Sequence, residues 1–443
     1  MNRKTCAPAR AATLPLAALL LILAASLGLA HPGRAVAATT NRISVNSSEA
    51  QANGGSSSPS ASAGGRFVVF TSDAANLVRG DTGGRQDVFV RDRTLGTTRR
   101  VSVSSAGVQA NGGSDDPVIS GDGRFVAFSS VASNLVGGDT NGVKDIFVHD
   151  RTIGTTRRVS VNSSGMEANG ASGSPSVSAD GRFVAFLSSA TNLVGGDTNS
   201  DTDIFVRSRA TGTTGRVSVS VDEDQGNGSS SDPTISADGR VVAFSSQASN
   251  LVDGDTNGAR DVFVRIRKVG TTTRVSVSSV GAQGNASSGG ADLSAGGRFV
   301  VFSSSATNLI GSDTNGQTDV FLHDRQNDTT SRMSISSGDV EGNGLSDSPS
   351  ISANGQLVAF SSQASNLVGG DINSSEDVFV RDRAAGTTRR VSVNAAGVQG
   401  NDRSSVPSIS ANGRYIAFES SATNLVGHDT NATDDIFIRG PLR

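Results

Sequence analysis

An aspartate returns every 58 residues through this chain, at Asp81, Asp139, Asp197, Asp255, Asp313, Asp371 and Asp429. An asparagine keeps the same step at Asn53, Asn111, Asn169, Asn227, Asn285, Asn343 and Asn401. No insertion breaks the period. A fixed internal period constrains the fold more than any other feature. One supersecondary unit is copied, and each copy buries its apolar face against the next. Glycine is abundant, 53 of 443 residues, which by composition alone is compatible with disorder. The unbroken period excludes that reading.

The second copy shows the unit. Residues 117–120 read as a short strand A, and Gly121-Asp122-Gly123 as a turn. Strand B follows at 124–130, then a long loop at 131–143. Strand C is Asp145–Asp150, and a tight turn leads to strand D at 157–161. Four short strands bounded by turn residues, with no helical period, form an antiparallel meander. Strands B and C are nearly continuous apolar runs, so both faces should be buried. Strand D alternates Val159, Ser160 and Val161, so one face should be wet. The predicted fold is all-β: a seven-bladed β-propeller of 58-residue, four-stranded blades. All 18 phenylalanines fall at three repeat positions, which are Phe125, Phe128 and Phe147 in the second copy. Val241, Leu357 and Tyr415 fill the gaps. The rival repeat fold, a parallel β-helix, has shorter coils and lacks tight hairpins.

Seven such units span 406 residues, the length of 38–443. The segment 1–37 reads as a signal peptide: Arg3, Lys4 and Arg10, an apolar run over 14–30, then the A-x-A pattern Ala35-Val36-Ala37. The run is short for a retained membrane anchor, the alternative reading. Cys6 precedes it, away from a lipid-attachment position. The expected product is exported: secreted, periplasmic or in the cell envelope, monomeric, with no membrane span after cleavage. Residues 38–443 hold no cysteine, so packing must stabilise the fold without disulfides. Without the four basic residues of 1–37, 34 basic face 41 acidic residues, a balance of −7. That argues against phosphate-driven nucleic-acid binding.

The last copy reaches strand C at 435–439 without a strand D. Arg42 lies 58 residues before Arg100, inside a D strand. The N-terminal strand is therefore expected to complete the seventh blade and close the ring. The C–D turns carry Leu95-Gly96, Ile153-Gly154 and their counterparts, which suit a two-residue loop. That register sets Asp150 opposite Arg157, Asp92 opposite Arg99 and Asp382 opposite Arg389.

The string Ser120-Gly-Asp-Gly-Arg-Phe-Val-Ala-Phe-Ser-Ser130 resembles the S-x-D-G-[KR]-x-[IV]-A-F-x-S repeat of TolB-like propellers, as does the copy from Ser236 to Ser246. The resemblance covers essentially all of 38–443 and implies the propeller fold. TolB-like repeats occur in periplasmic protein-binding proteins and beside peptidase domains. This sequence carries neither the TolB N-terminal domain nor a hydrolase domain. TolB has six blades and lacks the long B–C loop, so its role does not transfer.

The B–C loop carries the most chemistry. It holds an Asp-x-Asn pair and a later Asp in six copies: Asp139, Asn141, Asp145; Asp197, Asn199, Asp203; Asp255, Asn257, Asp261; Asp313, Asn315, Asp319; Asp371, Asn373, Asp377; and Asp429, Asn431, Asp435. The first copy has Asp81 and Asp87 with Gly83 between them. Three readings stand. Asp and Asn make Asx-turns, and Asn-Gly is a tight turn. Alternating oxygen ligands also resemble a calcium loop, although calcium takes roughly 6–8 oxygens. The EF-hand frame and its terminal bidentate Glu are absent. Direct ligand contact is the third reading.

Catalysis has few groups to work with. His149 and His323 share one repeat position, and His428 replaces a loop glycine. Their number and placement build neither a His metal centre nor a Ser-His-Asp triad. Lys144 and Lys268 are the lysines of 38–443, both expected at the surface, and no cysteine nucleophile exists there. Paired acids could run glycosidic chemistry. But Trp is absent and Tyr415 is the sole Tyr, which weakens sugar stacking. The expected function is that of an exported, non-catalytic protein-interaction or scaffold propeller. Its partner would be a protein or a cell-envelope component, with no cofactor. A calcium-binding structural or adhesive propeller is the alternative, and an exported hydrolase or lyase is the second alternative.

Overall fold

The computed structural model describes residues 1, 2, 5, 38–82 and 84–442. Cys6, the apolar run and the Ala35-Val36-Ala37 pattern lie outside the described residues. The strands belong to one compact unit, Ala37–Arg443. Twenty-eight strands, and no helix among the described residues, make seven four-stranded antiparallel sheets. In blade 2 strand A is Ser114–Ile119, B is Phe125–Ser130, C is Asp145–Asp150 and D is Thr155–Arg158. The other blades repeat this order. The expected seven-bladed propeller is the observed fold.

Blade 7 takes strands A to C from Ser404–Ile409, Ile416–Ser420 and Asp435–Gly440. Its strand D is Thr39–Arg42, paired antiparallel from Thr39 opposite Gly440 to Arg42 opposite Phe437. The ring is closed by the N-terminal strand, as expected. An open blade edge would otherwise expose unpaired backbone groups.

The core lies between blades. Val69, Val88 and Val90 of blade 1 pack on Ile119, Val126, Phe128 and Phe147 of blade 2. Phe128 and Phe147 are themselves stacked, with centroids 5.9 Å apart. Every blade has such a pair, which explains two of the three phenylalanine positions.

The third phenylalanine position locks the seam at the A–B turns. Phe125 of blade 2 lies under Gly181 of blade 3, where a Cβ would come within 2.1 Å of the ring. Gly181 has φ +69°, which L side chains rarely adopt. Arg209, just beyond strand C of blade 3, sits 4.2 Å from the centroid of Phe125 and donates to the Gly181 carbonyl at 2.5 Å. A guanidinium over a ring face adds electrostatic attraction to the packing.

Three local expectations need correction. Strand A starts at Ser114 rather than at 117, because Asp116 adopts φ +49° and the register shifts between Asp115 and Val118. The bulge lets the strand run on past an unpaired residue. Strand D ends at Arg158, and Val159, Ser160 and Val161 are all buried. No wet face exists there, because the Ser160 hydroxyl donates to Asp145 and accepts from the Ile146 amide.

The C–D register is also different. Asp150 lies opposite Thr155, and Arg157 opposite Val148. Asp92 likewise faces Thr97 and Asp382 faces Thr387. The loop has four residues, closed by the Gly154 amide on the Asp150 carbonyl at 2.8 Å. Asp150 is held by its own turn, through the Thr152 amide, and by a bidentate pair with Arg124 at 3.0 and 2.7 Å. Arg66 and Arg298 do the same for Asp92 and Asp324. Arg157 stays exposed.

Candidate functional site

In an antiparallel meander the A–B and C–D turns share one end. The B–C loops and the connections from D to the next A share the other. This second end, the B–C face, carries every residue of the loop motif. In blade 2 the Asn141 amide donates to the Ala168 carbonyl and to Asp145, at 3.0 and 2.9 Å, while its oxygen accepts the Val143 amide. Asn199, Asn257, Asn315, Asn373 and Asn431 likewise reach the following D–A connection and accept an amide two residues on. Each asparagine therefore builds an Asx-turn and ties two connections together.

The aspartates meet a cation of the chain itself. Arg158 lies 3.3 Å from Asp139 and 3.1 Å from Asp145. Arg216 bridges Asp197 and Asp203, Arg274 bridges Asp255 and Asp261, and Arg332 bridges Asp313 and Asp319. Arg390 bridges Asp371 and Asp377, and Arg100 bridges Asp81 and Asp87. Arg42, from the closing strand, bridges Asp429 and Asp435. A glutamine on the D–A connection completes five of these groups. Gln225 donates to Asp197 and Asp203, at 2.8 Å each, and Gln51, Gln109, Gln283 and Gln399 act alike. Burial raises the carboxyls of Asp87, Asp203, Asp377 and Asp435, and the serine hydroxyl two residues past strand D pulls each one back.

Blades 2 and 5 differ. Glutamates stand at the glutamine position, Glu167 and Glu341. They make the groups Asp139, Asp145, Glu167 and Asp313, Asp319, Glu341. Among the described residues these are the two sets of three acids close enough to share one ion. Burial pushes Asp319 up to about 6, opposed by the Ser334 hydroxyl and Arg332 and reinforced by Asp313 and Glu341. Burial also raises Asp139, with Arg158 opposing. The sequence reading missed these glutamates. The signal was an acid in two copies at a position that is Gln in the other five.

His149 and His323, of the same two blades, are buried, and each Nδ1 lies 2.9 Å from a threonine hydroxyl. Burial lowers both imidazoles. Elsewhere this position is arginine, and Arg207 bonds the Thr214 hydroxyl in the same way.

The sevenfold regularity breaks most around the axis. Strands A line a cavity of about 230 Å³, where Ser60, Ser176, Ser350 and Ser408 each accept an amide of the next blade. In blade 5 this residue is Asp292, which accepts from the Ile351 and Leu293 amides at 2.9 and 2.8 Å. Burial raises its carboxyl, and these amides oppose the shift. On the B–C face beside the axis, blades 6 and 7 place Glu376, Glu419 and Asp434 near one cation, Arg403, with Asp347 beside Glu376. Burial raises Asp347, Glu376 and Glu419. In blade 2 Asp115 stands at the Asp347 position and Lys144 at the Glu376 position, 2.7 Å apart, with Asp116 next in the chain. Other blades put mainly Ser, Thr and Gly at these positions. Carboxylates with shifted pKa gathered at one mouth mark a functional-site candidate.

The fold and site together define a closed seven-bladed propeller with a charged axial mouth. No protein-family model matches the chain, and no curated protein does. Solved propellers do. An oligogalacturonate lyase in complex with manganese aligns with TM-score 0.51 and 13% identity, over 92% of this chain and 91% of that one. The β-propeller domain of the Trilobed protease from Pyrococcus furiosus, which has an open velcro topology, aligns with TM-score 0.52 and 11% identity, over 87% and 95%. TolB from Acinetobacter baumannii matches with TM-score 0.40 and 17% identity over 68% of this chain, and the match spans 58% of that protein. At these identities the likeness is one of fold.

Proposed function

We propose that this chain is an exported, non-catalytic binding propeller of the TolB-like repeat type that engages its partner at the axial mouth of the B–C face. The observation that carries the reading is the acidic arc of Glu376, Glu419 and Asp434 around Arg403, extended by Asp347 beside Glu376. Structural demands repeat with the blades. The acid at the Glu376 position recurs only in blade 7, as Asp434, and the acid at the Asp347 position only in blade 2, as Asp115. Glu419 has no acidic counterpart, so blade construction, which acts on all seven copies, does not explain them. Acidic complementarity suits a partner that presents basic groups, and charge at a mouth speeds encounter. A cell-envelope pull-down with the exported chain tests this. A partner retained by the native chain and lost by Glu376→Gln/Glu419→Gln supports the reading. A partner held equally by the native chain and the variant removes the mouth from it.

The second reading is an exported lyase or hydrolase. The raised carboxyls of Glu376 and Glu419 favour it, because a general acid needs a raised pKa. Turnover in a screen of polysaccharide and peptide substrates, abolished by either Glu→Gln change, would replace the binding reading.

A further inference from the structure

We propose that blades 2 and 5 each bind a hard divalent cation of the calcium class, at Asp139, Asp145 and Glu167 in one and at Asp313, Asp319 and Glu341 in the other. In each group one oxygen from every carboxylate lies within 4.8 Å of the others, the spread of ligands around one ion. Carboxylate is a hard oxygen donor and selects this class of metal.

Acidity alone is not the argument, because all seven blades carry the aspartate pair and its arginine. Two further observations bear on this, the first on blades 2 and 5 together and the second on blade 5. In the other blades the glutamine amide donates to both aspartates, as Gln225 does to Asp197 and Asp203 at 2.8 Å. A glutamate cannot donate. It removes two hydrogen bonds and adds a charge, leaving three carboxylates against one guanidinium. The consequence shows at Asp313. Its side chain is 1% exposed, yet neither carboxylate oxygen has a partner at hydrogen-bond geometry. Arg332 Nη2 stands 3.6 Å away, and the Gly316 amide and the Glu341 carboxyl are its other polar neighbours. A buried carboxylate without hydrogen bonds is costly, and it faces two more acids.

A divalent ion supplies the two charges that the group lacks. Each of the three carboxylates brings one oxygen to the shared point, and water would supply the remaining ligands. Glu167 and Glu341 remain 20% and 15% exposed, which leaves a path for the ion and for water ligands. The ion competes with arginine. Arg158 Nη1 touches all three acids in blade 2, and Arg332 reaches its three acids through three nitrogens. The expected affinity is therefore that of weak extracellular modules, a Kd of about 10⁻⁴–10⁻³ M. Asn141 and Asn315 are not counted among the ligands, because each is committed at both ends, its oxygen to a backbone amide and its amide to a backbone carbonyl of the D–A connection.

The test titrates calcium chloride into the chelator-treated full chain, read by calorimetry and by the shift in Tm. The comparison is the double variant Glu167→Gln/Glu341→Gln, which installs the residue of the other five blades. Expected are binding heat and a raised Tm for the native chain, and neither for the double variant. No binding by the native chain up to about 10 mM calcium, well above that Kd range, overturns the proposal, as does unchanged binding by the double variant. If the double variant does not fold, Gln225→Glu in blade 3 decides. One additional ion bound supports the proposal, and an unchanged count overturns it.

Discussion

Replacing Gly181 by alanine tests whether the blade seams are held by the glycine-on-phenylalanine contact. The structure gives two separate costs. At φ +69° an L residue occupies the left-handed region, at a cost of about 1–2 kcal/mol. The new Cβ would also stand 2.1, 2.6 and 2.9 Å from three ring atoms of Phe125. The ring must move, and overpacking of this kind costs about 1–3 kcal/mol. Gly181→Ala should therefore destabilise by about 2–5 kcal/mol in all. Gly154 is the internal control. It has φ +68° but nothing within 4 Å of its would-be Cβ, so Gly154→Ala should cost the backbone share alone. Urea unfolding followed by far-UV circular dichroism measures both. Adding Phe125→Ala should absorb the steric share, giving a coupling of at least about 1 kcal/mol in the double-mutant cycle. Equal losses for Gly181→Ala and Gly154→Ala, together with an additive cycle, would refute the reasoning.

Deleting 39–47 removes strand D of blade 7 and the Arg42 that bridges Asp429 and Asp435, so Tm should fall sharply. An unchanged melting curve rejects the closure. Arg216→Met should cost about 3–5 kcal/mol in urea unfolding, because it leaves buried carboxylates unpaired. A loss below about 1 kcal/mol would mean that the pair is effectively solvated. Asp319 should lower stability as pH rises from 3.8 to about 6, because within that window the folded state holds the proton more tightly. Asp319→Asn should flatten the stability profile there, and an unaltered slope counts against the shift. Asp324 runs the other way. Its carboxyl is held down to about 2 by Arg298, so its stabilisation is present above 3.8 and lost as pH falls to about 2. Asp324→Asn should remove that acid-side slope in the same measurement.

The blade and the closure were legible because they follow from period and pattern. A 58-residue step and a missing final strand D admit few solutions, and Arg42 falls in register with Arg100. The C–D pairing was not legible. Asp and Arg at the Asp150 and Arg157 positions come and go together in every copy but one, Asp324 with Ser331, yet the partner of Asp150 is Arg124, 26 residues back at the A–B turn. Sequence spacing cannot distinguish a two-residue hairpin from a four-residue loop when both place a glycine at positive φ. The bulge at Asp116 was hidden for a related reason: Asp, Ser, Gly and Val all occupy that position. The loop aspartates were found, but not the guanidinium between them. Arg158 reads as a strand residue until strand D is laid beside the loop. The mouth acids are hidden because each repeat position carries an acid in one or two copies only, and the period highlights what all seven share.

The closing strand also sets an order of events during synthesis. Thr39 meets Gly440, 401 residues away, so the first strand made waits for the last. Blades 1 to 6 can each fold as local meanders while the chain is still growing. The ring cannot. Bringing ends this far apart together costs about 5 kcal/mol of loop entropy in a flexible chain, and folded blades reduce that by holding the arc in shape. Until residue 440 is available, the arc presents an unpaired edge and an open flank of apolar side chains to whatever surrounds it. Such an intermediate invites chaperones, proteases and pairing with a second nascent chain. The seam between Thr39–Arg42 and Asp435–Gly440 is thus where this protein is most exposed to being made wrongly, although it is an ordinary hydrogen-bonded ladder once complete.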